Sequence, residues 1–123
     1  MRGLKVFLFI SFLGVGIFGL LALFFPSLLA QMGMPDASPD YIRLMSAVHV
    51  GLAIALWYAF RNPLKSLGLI IAAIVGWGLE AVVWLISGIA GTIAWEIALP
   101  GVIVDAILAG GLVYFYPRGE KAS

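Results

Sequence analysis

The chain has 123 residues, 63% of them hydrophobic and only 11% charged, with a mean hydropathy of +1.14. That balance excludes an ordinary soluble domain, and the few residues outside the apolar stretches leave no room among these 123 for a nucleotide-binding fold. A formal charge of +1, with the basic residues dispersed in ones and twos, excludes a nucleic-acid partner. The absence of cysteine removes disulfides, thiolate metal sites and CxxC redox chemistry.

At the N-terminus, Arg2 and Lys5 precede an apolar run from Val6 to Phe25. A signal peptide would have an apolar region of roughly 7 to 15 residues and a small-residue cleavage site. This run is longer, and Leu28 is too bulky for such a site, so the segment is expected to be retained as a helix. A helix needs about 20 apolar residues to cross hydrocarbon. Four stretches satisfy this, at about Leu4 to Phe25, Asp40 to Phe60, Ser66 to Ala90 and Glu96 to Tyr116. The expected fold is therefore an all-α integral membrane four-helix bundle, one domain over residues 1–123. Its surroundings are the lipid bilayer.

Pro26, Gly33, Pro35, Asp36, Ser38 and Pro39 punctuate the first connection, and Arg61, Asn62, Pro63 and Lys65 make a tight second one. Gly88, Gly91 and Thr92 end the third span, while Pro100 is expected either in the first turn of the fourth or at a kink in it. The basic pairs Arg2/Lys5, Arg61/Lys65 and Arg118/Lys121 all fall on one side of this layout, and Asp36, Asp40 and Glu96 fall on the other. Short cytoplasmic loops carry the positive excess, which predicts cytoplasmic N- and C-termini and a multi-pass membrane protein. The first and third spans share no ordered polar pattern, so the inverted repeat of a transporter is not indicated.

Small residues at four-residue spacing mark packing faces in lipid. Ala47, Gly51, Ala55 and Ala59 form such a stripe in the second span, and Ala72 and Gly76 begin another that reaches Glu80. They are expected to meet other helices, either of further membrane subunits or of a second copy of the chain.

His49, Glu80 and Asp105 each interrupt a different apolar stretch. A charge in hydrocarbon costs between about 3 and 17 kcal/mol, so such groups face a protein interior or a wet cavity. At about 1.5 Å per residue they share one layer near or slightly outside the bilayer centre, with Arg43 about 9 Å above His49 and able to reach inward. Arg43, His49, Glu80 and Asp105 are thus expected to form a polar intramembrane cluster. One reading is mutual neutralisation, with Arg43 on one carboxylate and His49 on the other. A second is a proton or ion path. A third is ligation of a haem or chlorophyll-like ring by His49, for which no second histidine exists in the chain. A metal held by His49, Glu80 and Asp105 has suitable ligand types but no recognisable spacing, and no metal site is assigned.

Trp77 and Trp84 flank Glu80 at three and four residues and share its helix face, as core packing or as walls for a flat ligand. Ser11, Ser46 and Ser87 lack the partners of a nucleophile, and no catalytic signature is present.

From Arg43 through Gly51, Leu52, Trp57 and Tyr58 to Arg61, Asn62 and Pro63, and again at Gly76, Gly78, Leu79, Glu80 and Asp105, the chain resembles the BphX-like group of small four-helix bacterial membrane proteins. The resemblance implies a four-helix architecture without an established activity and transfers no catalytic residues. The resulting expectation is a non-enzymatic accessory or assembly subunit of a larger membrane complex. The alternatives are a small proton-coupled transporter using Glu80 and Asp105, and a pigment- or haem-binding subunit through His49.

Overall fold

The computed structural model describes residues 1–33 and 38–118. Its elements are α1 (Arg2–Phe24), a short α2 (Pro26–Gly33), α3 (Pro39–Arg61), a single 3-10 turn (Pro63–Lys65), α4 (Leu67–Ala90) and α5 (Trp95–Phe115). The described residues contain helices and no strand. Of these, α1, α3, α4 and α5 are long and apolar enough to cross a membrane, and together they suggest a multi-pass membrane protein. In hydrocarbon only intrasegment hydrogen bonding satisfies a lone spanning backbone, which explains why so apolar a chain is so completely helical.

Local chemistry sets the ends. Ser38 caps α3, its Oγ accepting from the Tyr41 N–H at 3.1 Å, with Pro39 opening the first turn and Asp40 within it. Asn62 and Pro63 stop α3, and Ser66 Oγ donates to the Asn62 carbonyl at 2.7 Å across the tight connection to α4. Helix α4 ends at Gly91, whose φ of 77° is the left-handed conformation that a residue without Cβ adopts most easily. The Thr92 N–H and Oγ1 then both reach the Ser87 carbonyl, at 3.0 and 3.2 Å.

Three sequence expectations are refined. Pro26 opens a helix where only a connection was expected, because proline is well suited to a first helical position. Pro100 lies inside α5, in its second turn, and the helix continues through it to Phe115. The stripe Ala47–Gly51–Ala55–Ala59 is not one packing face within the chain: Ala59 is fully buried, but Ala47 and Gly51 are exposed. The expected connection residues Pro35 and Asp36, and the basic residue Lys121, lie outside the described residues.

The four long helices form two close pairs, α1 with α3 and α4 with α5, and the pairs meet each other much less extensively. Along α1 the buried residues Leu4, Leu8, Ser11, Val15, Gly19 and Ala22 recur every three or four positions, giving one inward stripe. Phe12 stacks against Trp57 and Phe9 against Phe60, with ring centroids 5.2 and 5.4 Å apart, reinforcing the α1–α3 pair. Between pairs, the Phe7 ring lies over Gly111 and Phe115 over Gly3, so α1 and α5 approach closely at the end carrying both termini.

The shared core is concentrated there. Leu4, Leu8, Leu56, Ala59, Ile70 and Leu112 fill the half of the bundle nearest the termini, and Trp77 stands at its upper limit. From there the Trp77 indole N–H donates to Ser11 Oγ at 3.1 Å, a buried bond between α4 and α1. Toward the opposite end, buried positions such as Gly19, Ala22, Gly88 and Ala98 are small.

Ser11→Ala removes the acceptor of a buried donor, and interhelical hydrogen bonds in membranes are worth about 0.6 kcal/mol on average and up to about 1.7. A loss in that range is expected in detergent unfolding of Ser11→Ala. A markedly smaller loss is expected when the same change is made in a Trp77→Phe background, where the donor is already gone.

Candidate functional site

Helix α4 carries Trp77, Glu80 and Trp84 along one face, and each has a different neighbour. Trp77 is tied to Ser11, as above. Trp84 lies against Gly101 of α5, its ring atoms 2.7 to 2.9 Å from where a Cβ would sit. Glycine is required at this close approach, because the atoms met first belong to the base of the indole and the whole side chain would have to move. One turn further along α5, Asp105 is thereby brought beside Glu80 and Trp84.

Asp105 is 4% exposed, and its Oδ2 is buried without a hydrogen-bond partner. No ion pair reaches Glu80 or Asp105 among the described residues. Two ionised carboxylates side by side would leave like charges buried with no described cation opposite them, so the pair is relieved either by a proton held between them or by a counter-charge from elsewhere.

Across from α4, His49 projects from the middle of α3. Its Nδ1 lies 2.8 Å from the Met45 carbonyl oxygen. A carbonyl only accepts, so Nδ1 carries the proton and Nε2 is the nitrogen left for any other partner. Phe18 of α1 packs on the imidazole with ring centroids 5.3 Å apart, and the His49 Cβ stands 3.1 Å from where a Cβ on Gly19 would sit.

Where the two helix pairs separate, α3 and α4 border a cleft of about 360 Å³ lined by Phe18, Tyr41, Met45, His49, Glu80 and Trp84. A narrower space of about 70 Å³ extends past His49 and Glu80 toward the termini and is walled by Leu52, Leu56, Ala73 and Trp77. The cleft is therefore polar at its deep end and closed beneath by apolar side chains.

Glu80 and Asp105 are thus neighbours, and His49 and Glu80 line one cleft from facing helices. Arg43 stands apart. The expected Arg43–carboxylate pair is not formed, because Asp40, three residues earlier on the same helix, lies 3.7 Å from the guanidinium. Both side chains are exposed, at 53% and 92%, and a solvated local partner requires no burial of the guanidinium. The expected His49–carboxylate pair is replaced by the bond to Met45. Among the described residues no group of three His, Asp or Glu side chains is placed to hold a metal ion. Ser11 is the residue whose part was not foreseen. The available signal was a hydroxyl in a long apolar run, at nearly the same helix depth as a donor-only indole.

No protein-family model, curated protein or solved structure matches the chain.

Two outcomes check this geometry. Gly101→Ala is expected to destabilise the protein by about 1–3 kcal/mol through overpacking against Trp84. Gly51→Ala, where an added Cβ meets nothing within 4 Å, serves as the tolerated control in the same unfolding titration. In ¹⁵N-histidine NMR of the purified protein, neutral His49 is expected in its Nδ1–H form; an Nε2–H signal would contradict the bond to Met45.

Proposed function

We propose that the chain is a non-enzymatic, proton-coupled carrier of the bacterial cytoplasmic membrane that binds its solute in the α3–α4 cleft, with Glu80 and Asp105 as the carboxyls that exchange a proton for the solute. The observation that carries this reading is Glu80 at the deep end of a cleft, backed by Asp105, whose Oδ2 is buried without a hydrogen-bond partner. A cluster that served only to neutralise itself would pair its charges internally. Here Arg43 is engaged by exposed Asp40 and His49 by a backbone carbonyl.

Both termini are assigned to the cytoplasm in this proposal. Arg2, Lys5, Arg61, Lys65 and Arg118 all lie at or near the end of the bundle carrying the termini, in keeping with the positive excess of cytoplasmic loops. The cleft then faces the outer half of the bilayer. Apolar closure beneath Glu80 favours a carrier, which must change shape to release its solute, over an open pore. Because four helices enclose little volume, a homo-oligomer is the working form.

The reading as an accessory subunit of a larger complex retains one observation: Ala47 and Gly51 are exposed, and an added Cβ on Gly51 meets nothing within 4 Å, which suits close approach by a helix of another chain. Purification from native membranes in mild detergent separates the two. A reproducible heterologous partner supports the subunit, and recovery of the chain alone or with copies of itself counts against it.

The carrier reading is tested with proteoliposomes loaded with a pH-sensitive dye, under an imposed proton gradient, to which cationic, anionic and neutral amphiphilic solutes are added singly. At least one solute is expected to discharge the gradient, and Glu80→Gln and Asp105→Asn, confirmed as folded, are expected to abolish that discharge. Discharge unchanged in both variants, or by no solute at all, excludes the proposed role.

A further inference from the structure

The lining of the cleft bears on the charge of its solute. Its deep end has the Glu80 carboxyl with Asp105 directly behind it, and its walls include the aromatic rings of Phe18, Tyr41 and Trp84. Aromatic faces attract cations through the ring quadrupole, and carboxylates attract them through charge. Conversely, no lysine or arginine lines the cleft, and the Nδ1–H of His49, a donor that could serve an anion, is committed to Met45. Arg43 is held at the surface by Asp40. Met45, Val83 and Ile93 add apolar side chains to the lining.

We propose that the solute is a hydrophobic organic cation, a quaternary or protonated amine or an onium ion with apolar or aromatic substituents. The cation centre sits against Glu80, with Asp105 behind it, and its apolar substituents lie between Trp84, Tyr41 and Phe18. Asp105, whose Oδ2 is buried and does not open onto the cleft, acts on that charge from behind Glu80. The apolar lining selects against small hydrated metal cations, which would have to give up water for too few oxygens. This inference rests on the carrier reading of the same cleft and adds the class of molecule carried.

The test uses tetraphenylphosphonium and tetraphenylborate, ions matched in shape and opposite in charge, added to the purified full-length protein in detergent, with binding to empty micelles subtracted. Tetraphenylphosphonium is expected to bind saturably and quench tryptophan fluorescence, and tetraphenylborate is expected not to compete with it. Loss of a charge-assisted contact weakens binding by about ten- to a hundredfold, so Glu80→Gln should fall in that range, and Asp105→Asn, which acts from behind Glu80, should weaken binding by less. Trp84→Leu, which removes one aromatic wall and leaves the carboxyls, should weaken it by about three- to tenfold. Equal binding of the two ions, or cation binding unaltered in both carboxyl variants, overturns the inference. Carboxyl-dependent discharge of the proton gradient by a neutral or anionic solute, with no saturable tetraphenylphosphonium binding, overturns the cation assignment while leaving the carrier reading standing.

Discussion

The hydrogen bond from the Trp77 indole to Ser11 joins two helix pairs that share little other contact in the middle of the bundle. Within a bilayer, lipid tails are as apolar as leucine, so helices gain nothing from being hidden from water and associate through close packing and polar bonds. This bond sits where the packed leucine core ends. On one side of it α1, α3, α4 and α5 share buried side chains, and on the other the pairs part to leave the cleft. Trp77 thus belongs both to the core and to the apolar floor beneath Glu80.

The carboxyl pair depends on the same economy of close contact. Without a side chain at Gly101 the Trp84 ring can lie flat on α5, and that approach sets Asp105 beside Glu80. Residues on three different helices, His49, Glu80 and Asp105, therefore owe their arrangement to close approaches at particular glycines as well as to their own positions along their helices. Gly19 does for His49 on α1 what Gly101 does for Trp84 on α5, since each leaves space for a neighbour's side chain.

Much of the architecture was legible because a run of about 20 apolar residues has few other uses. The four long helices begin and end within about two residues of the expected apolar stretches. Shared depth also placed Glu80 and Asp105 in one layer. Depth, however, says nothing about which way around its axis a helix is turned. That is why Arg43 was expected to reach a buried carboxylate when Asp40, one turn earlier, was the partner at hand. Within the chain the glycine stripes show a related limit. Gly51 and Gly76 have regular spacing but open surroundings, while Gly101 and Gly111 are each met by an aromatic ring from a different helix. Spacing within one helix cannot reveal what its neighbour brings.

The chain passes between the two helix pairs once, through the short Asn62–Ser66 turn, and the Phe7–Gly111 and Phe115–Gly3 contacts lie at that same end. At the Tyr41–Ile93 end no covalent link joins one pair to the other. Mechanically the molecule is a clothes-peg, sprung at the termini with its jaws at the opposite face. Any tilt of one pair against the other grows with distance from the termini, so it opens the mouth between Tyr41 and Ile93 more than the gap between His49 and Glu80, which lies about one turn beyond the Trp77–Ser11 bond.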